Sequence, residues 1–203
     1  MSKRKPREGL TRERIVATAA DLIEREGHEA LSARRLAAAL GCEAMSLYHH
    51  VPNMGELLRE VTEQALGALP LPVPDGHDAR RQLHQMASAF LELARTRPRV
   101  FRVVATRRWR NQAEARFQVC LCEILIATGL TARAALRDAR ILLVYLNGAG
   151  LALTSWALDT AQPAPESVPA QARKFLRLSN PAAVSKDIDA GLDLLLDALL
   201  ARR

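Results

Sequence analysis

A chain of 203 residues, 49% of them hydrophobic, can bury one large helical domain or a small domain leaning on a bigger one, which excludes a disordered chain. Its formal charge of +7 favours a polyanionic partner, because basic surface attracts phosphate and steers association. Three cysteines, Cys42, Cys120 and Cys122, are an odd number without a secreted-domain spacing, so neither a disulfide framework nor a metal site is expected.

The chain starts with a basic arm over residues 1–10, in which Lys3, Arg4, Lys5 and Arg7 form a segment suited to following a nucleic-acid groove. Neither an apolar leader nor a run of about 18 apolar residues is found, so the chain reads as cytoplasmic, without a membrane partner. Almost no residues alternate in the β manner, and runs of Ala, Leu and Arg predict an all-α protein. Thr11 caps a first helix in which Ile15, Ala19, Leu22 and Ile23 recur on one face, and Gly27 ends it. Ser32 caps a second helix, with Leu31 and Leu36 as a hydrophobic staple, and Gly41 stops it after two to three turns. A third short helix is predicted over 44–51, before Pro52 and Asn53, and a fourth over 55–69.

A proline-rich stretch over 70–78 then separates this unit from the rest. Further helices are predicted over 79–96, 99–106, 110–128 and 131–158, the last long and strongly apolar. After a break at 163–169 come helices over 170–178 and 186–202, the latter capped by Ser185. An arginine cluster (Arg80, Arg81, Arg95, Arg97, Arg99, Arg102, Arg107, Arg108, Arg110) reads as a solvated face whose acidic counterparts lie elsewhere in the fold.

The second and third helices have the needs of a helix-turn-helix: a small residue where they cross, Ala37, and a turn that admits a positive φ, Gly41. Leu36, Leu40, Leu47 and Val51 supply the contacts that lock the pair. With Leu47 pointing inward, a rotation of about 100° per residue puts Met45 and His49 on the opposite side, flanked by Ser46 and Tyr48. A helix of eight residues is roughly 12 Å long and suits entry of its first turns into a major groove. Ser46 can bond a base edge or phosphate, Met45 can pack on a thymine methyl, and Tyr48 and His49 can bond phosphate. Arg34, on the preceding helix, is set to reach the same groove or its rim. The inward residues alone fit any pair of short packed helices, and His50 taken alone is as well read as a packed histidine.

The run Leu36-Ala37-x-x-x-Gly41-x-x-x-x-Ser46-Leu47-Tyr48-x-His50-Val51-x-Asn53 resembles the DNA-binding region of the TetR family. The resemblance implies nine to ten helices: a three-helix DNA-binding unit (11–54), a connecting helix (55–69), and a regulatory domain (70–203) that dimerises and binds a small molecule. By matching position, Arg34, Ala44, Met45, Ser46, Tyr48, His49 and His50 fall where family members contact operator DNA. Two departures matter. Met54 stands where a Lys is usual, removing a backbone contact, and Ala44 is too short to read a base by hydrogen bonding, leaving specificity to Arg34, Met45 and Ser46.

Beyond residue 70 the resemblance is architectural, and it implies a homodimer through the helices over 131–158 and 186–202. Ile188, Leu192, Leu195, Leu196 and Leu199 make a broad apolar stripe, which intramolecular packing would also explain. For the small molecule, Phe90, Phe101, Trp109, Phe117, Tyr145 and Trp156, with Asn147 among the polar residues of the long helix, are candidate lining residues; each also serves as ordinary core. Met86 stands where the resemblance calls for an Asn in magnesium-tetracycline binding, so tetracycline recognition is not expected. No glycine-rich phosphate loop, HExxH, GxSxG or carboxylate pair opposite a His is present, so neither enzymatic activity nor a cofactor is expected. The expected function is a repressor that binds a palindromic operator and is released by a small molecule; the alternatives are a nonspecific DNA-binding protein and a ligand-independent regulator.

Overall fold

The structure is a computed structural model that describes residues 9–74, 78–106, 111–158, 169, 173 and 180–201. The basic arm (Lys3, Arg4, Lys5, Arg7), Arg107, Arg108, Trp109, Arg110 and, apart from Pro169 and Arg173, the break and helix expected over 163–178 lie outside the described residues. Among the described residues there are nine α-helices, one 3-10 turn and no strand.

Helix α1 (Arg12–Glu26) begins at Thr11, whose Oγ1 accepts from the Arg14 amide at 3.2 Å, and ends where Gly27 takes a φ of 90°. A 3-10 turn (His28–Ala30) leads into α2 (Ala33–Leu40), capped by Ser32 through the Arg35 amide at 3.3 Å. Gly41 adopts the left-handed conformation (φ 68°, ψ 35°) that a side chain would resist, and the amides of Gly41 and Cys42 return to the carbonyls of Ala38 and Ala37. This closure turns the chain sharply into α3 (Ala44–Leu47).

Helix α3 is shorter than the span of 44–51 that the sequence predicts. Glu43 precedes it without a side-chain cap, and the chain continues in tight turns, with the Tyr48 and His50 amides bonding three residues back to Met45 and Leu47. Pro52 disfavours helical backbone at Val51, so no helix runs through to the predicted end at 51. Helix α4 (Met54–Gly67) starts one residue before its predicted span of 55–69, because Asn53 caps it through the Glu56 amide at 2.9 Å.

Helices α5 (Ala79–Thr96), α6 (Pro98–Thr106), α7 (Gln112–Ala127) and α8 (Ala132–Leu158) follow the predicted spans closely. Helix α9 (Pro181–Leu200) begins five residues before the predicted start at 186. Asn180 is its cap, accepting from the Ala183 amide at 2.9 Å, and Pro181 occupies the first turn, where its missing N–H costs nothing. Ser185 is therefore inside α9, not its cap, and its hydroxyl accepts from Arg95 of α5 at 3.3 Å.

Two clusters of buried side chains result. The smaller joins Ile15, Ala19, Leu22 and Ile23 of α1 to Leu36, Ala37, Leu40, Leu47 and Val51, and to Leu57, Leu58 and Val61 of α4. The larger is built by α5, α7, α8 and α9 around Leu83, Met86, Phe90, Leu121, Leu142, Leu146, Leu192 and Leu196. At about 1.5–3 kcal/mol per large buried apolar side chain, these clusters are the main favourable term in folding. Helix α6 divides between them: Val100 and Val103 belong to the smaller cluster, Phe101 and Val104 to the larger.

Helix α8 corrects one expectation from the sequence, for by length and composition alone it is long and apolar enough to cross a membrane. Its apolar character has another explanation in the fold: it packs against α5, α6, α7 and α9, with Ala135, Ala139, Leu142 and Leu146 fully buried. Gly150 lets it approach α6 closely, since a Cβ there would overlap the Phe101 ring.

Candidate nucleic-acid interface

The α2–α3 pair is packed on one side only. Leu36, Ala37, Leu40, Leu47 and Val51 are buried against α1 and α4, so the orientation of the outer side chains is fixed by what lies behind them. Outside, Met45 is 71% exposed and Tyr48 43% exposed, and His49 and Arg34 are also exposed. Arg34 forms no ion pair among the described residues. Ser46 and Ala44 are half-buried at the edge of this face. Arg34, Met45, Tyr48 and His49 are thus all exposed to solvent, on a segment anchored from behind by apolar contacts.

His50 sits differently, half-buried and close enough to Glu13 of α1 to act on its charge. The Glu13 carboxyl is held below the usual range, first by its own backbone amide, then by the Thr11 hydroxyl, and least by the His50 ring. The side chain of Tyr48 also closes one side of a small apolar recess lined by Ile15, Ala33, Leu36, Val51, Met54 and Leu57. Tyr48 thus rests directly on the small core.

Several of the contacts that hold this unit are long-range and leave no local pattern in the sequence. Arg35, which stands where a capping Glu or Gln would be, reaches back to Glu26 of α1 at 2.5 Å. Arg12 forms a two-point pair with Glu60 of α4 at 2.7 and 2.6 Å, which raises the Arg12 pKa and fixes α1 against α4.

The junction between the clusters is polar and specific. Pro98 opens α6, and the next amides, of Arg99 and Val100, donate to the Glu24 carboxylate of α1 at 3.4 and 3.1 Å. A carboxylate there complements the positive end of the helix. Arg99 in turn donates to the terminal carbonyls of α1, those of Glu24 and Arg25, while Arg97 pairs with Asp21 at 3.0 Å. On its far side α6 is tied to α8, where Arg102 donates to Thr154 at 3.3 Å. A second junction joins α4 to α7, where the Asn111 amide donates to the buried Thr62 hydroxyl at 3.4 Å. The arginine cluster is thus largely explained: Arg80 pairs with Asp193 and Asp197, and Arg95 with Asp189.

The candidate ligand-lining residues do not gather around one opening. Phe90, Phe101 and Phe117 are fully packed, with Phe90 centred 5.2 Å from Phe101 and 5.6 Å from Phe117. Tyr145 donates its hydroxyl to the Ile188 carbonyl of α9 at 2.5 Å; burial, and secondarily Asp189, push its pKa up and keep that donor protonated. Asn147 has a buried Oδ1 without a partner among the described residues, and Trp156 is partly exposed near the end of α8. Burial also raises the Cys120 and Cys122 thiols, the opposite of the shift that makes a reactive thiolate.

Comparisons with known proteins agree with this architecture. Residues 15–61 match the family described as bacterial regulatory proteins, tetR family. The chain is similar to the transcriptional repressor DrrR1 of Streptomyces coeruleorubidus, with 38% identity over 105 residues, covering 51% of this chain and 39% of that protein. It is also similar to an HTH-type transcriptional regulator of Saccharopolyspora erythraea, with 39% identity over 67 residues, covering 33% and 28% of the two chains. These matches span less than half the length of either relative. Over nearly the full chain, the fold is similar to that of the TetR family protein ActR of Streptomyces coelicolor in complex with actinorhodin, at 26% identity and a TM-score of 0.77, covering 96% of this chain and 98% of that one. Apo ActR gives a TM-score of 0.75 over the same shares. With a helix-turn-helix stretch matched by sequence over residues 15–61 and a fold similar to that of ActR over nearly the full chain, the chain is similar to bacterial regulatory proteins of the tetR family.

Proposed function

We propose that this regulator is a repressor that binds a palindromic operator as a homodimer and releases it when a small molecule occupies the larger core. The observation that carries the DNA half is the unpartnered outer face of α2 and α3, with Arg34, Met45, Tyr48 and His49 exposed around a fully packed inner face. In this reading Arg34, Met45 and Ser46 meet base edges, Tyr48 and His49 meet phosphate, Ala44 gives close approach, and His50 positions the turn from behind. The similarity to the repressor DrrR1 supports the sign of regulation.

The dimer surface is the outer side of α8 and α9. Val144 is 74% exposed, Leu194 is 73% exposed and Ile141 is also exposed, an apolar patch that a second copy would cover. Two copies place two reading faces roughly 34 Å apart, one helical turn of DNA. The relative ActR has been captured with actinorhodin, which supports a small-molecule trigger here. Occupancy of the larger core would reach the DNA through α6, because that helix holds side chains in both cores and is capped by Glu24 of α1. The division into a reading unit (11–54), a connecting helix (55–69) and a regulatory domain (70–203) fits the two clusters, with Val100 and Val103 crossing the boundary.

A nonspecific DNA-binding protein would need a wide free basic surface, and most of the arginine cluster is engaged in internal pairs. Footprinting on the DNA upstream of the protein's own gene tests the proposal. A protected palindrome is expected; uniform, sequence-independent protection would contradict it.

A further inference from the structure

Asp138 lies in the first third of α8 with its side chain fully buried, among Ala135, Ala139 and Leu142 of the same helix, which belong to the larger core. Taking an ionised carboxylate out of water costs several kcal/mol, an order-of-magnitude penalty met only when both oxygens find partners. Here one does. Oδ1 accepts from Arg137 Nε at 2.7 Å, and the Arg137 side chain is mostly in solvent, so it reaches in from the rim. Oδ2 has no hydrogen-bond partner among the described residues. For the fold alone, an apolar residue would serve α8 better.

The group that Oδ2 lacks is a donor, and a cationic one compensates the buried charge best. We infer that Asp138 is the anchor for a cationic, hydrogen-bond-donating group of the effector, which is thus an amine carried on an apolar body. This rests on the ligand-release reading above. The preference runs against the whole-chain field, because a formal charge of +7 favours anions at long range. Selectivity for a cation therefore has to come from a local group.

The test uses three compounds on one ring system, 1-naphthylmethylammonium, 1-naphthalenemethanol and 1-naphthaleneacetate, titrated calorimetrically into the full chain. The ammonium compound is expected to bind at least about tenfold tighter than the acetate. In Asp138→Asn that preference falls to within about twofold, with operator affinity in the absence of compound unchanged. Equal or tighter binding of the acetate, no binding of the ammonium compound, or an unaltered preference in the variant overturns the assignment. Selectivity in the unaltered chain needs no variant, so a poorly folding substitution does not blunt the test. Operator release, measured separately, distinguishes the two readings. Asp138-dependent cation binding that leaves the operator complex intact overturns ligand release and keeps the anchor; release by the acetate and not by the ammonium compound does the reverse.

Discussion

Tyr48 and Ser46 are two residues apart yet are proposed to have different jobs, and single substitutions separate them. Tyr48→Phe removes a phosphate-bonding hydroxyl and is expected to weaken operator and random DNA alike, whereas Ser46→Ala is expected to change which operator sequence is preferred, in competition binding against a panel of base substitutions. Equal losses in both assays for both variants would contradict the assignment. Gly41 carries a different burden: at φ 68° a Cβ is strained whatever space surrounds it, so Gly41→Ala is expected to cost about 1 kcal/mol by urea unfolding. At this scale the sequence was readable wherever periodicity decides direction. Leu36, Leu40, Leu47 and Val51 are buried and Met45, Tyr48 and His49 exposed, as rotation about a helix axis requires. It was silent where burial is decided by neighbours from elsewhere in the chain, as for Asp138, which stands beside Arg137 and two residues from Arg140 and reads as a surface charge.

Helices were legible to the degree that caps and prolines mark them. Thr11, Ser32 and Gly41 act where their chemistry suggests, and Asn180 with Pro181 shows what was overlooked: an Asn-Pro pair is a stronger start signal than the Ser185 chosen in its place. Pro52, acting on the residue before it, keeps helix from continuing through Val51, but the end of α3 at Leu47 has no such local mark. The cap on α6 was invisible, because Glu24 lies 75 residues before the amide of Arg99 that it accepts from. That contact makes a prediction for the element. Glu24→Gln is expected to lower stability by about 1 kcal/mol, as loss of a charged cap does. It should also alter operator affinity several-fold, whereas Arg80→Ala, which loosens α5 from α9 away from the junction, should leave operator affinity unchanged. Parallel effects of the two variants on DNA binding would show that α6 has no special share in the coupling.

For the whole molecule, the proposed dimer rests on the exposed apolar residues of α8 and α9. Val144→Asp combined with Leu194→Asp is expected to convert a particle of twice 22.3 kDa into one of 22.3 kDa by light scattering, without loss of helical content. Amphipathic patterning identified both helices in the sequence, but it could not say which apolar residues face their own chain and which a second one: Leu192 and Leu196 are buried at home, while Leu194 between them is not. On the proposed reading, the short α3 and the small side chain of Ala44 would leave each chain few base contacts, so selectivity would depend on two copies acting together. The most direct measurement is sedimentation of the full chain with a fluorescent operator duplex, intact or with one half-site scrambled. Two chains per intact palindrome and a loss of about a hundredfold or more in affinity for the half-scrambled duplex are predicted; one chain per duplex, or equal affinity for both, would contradict the account.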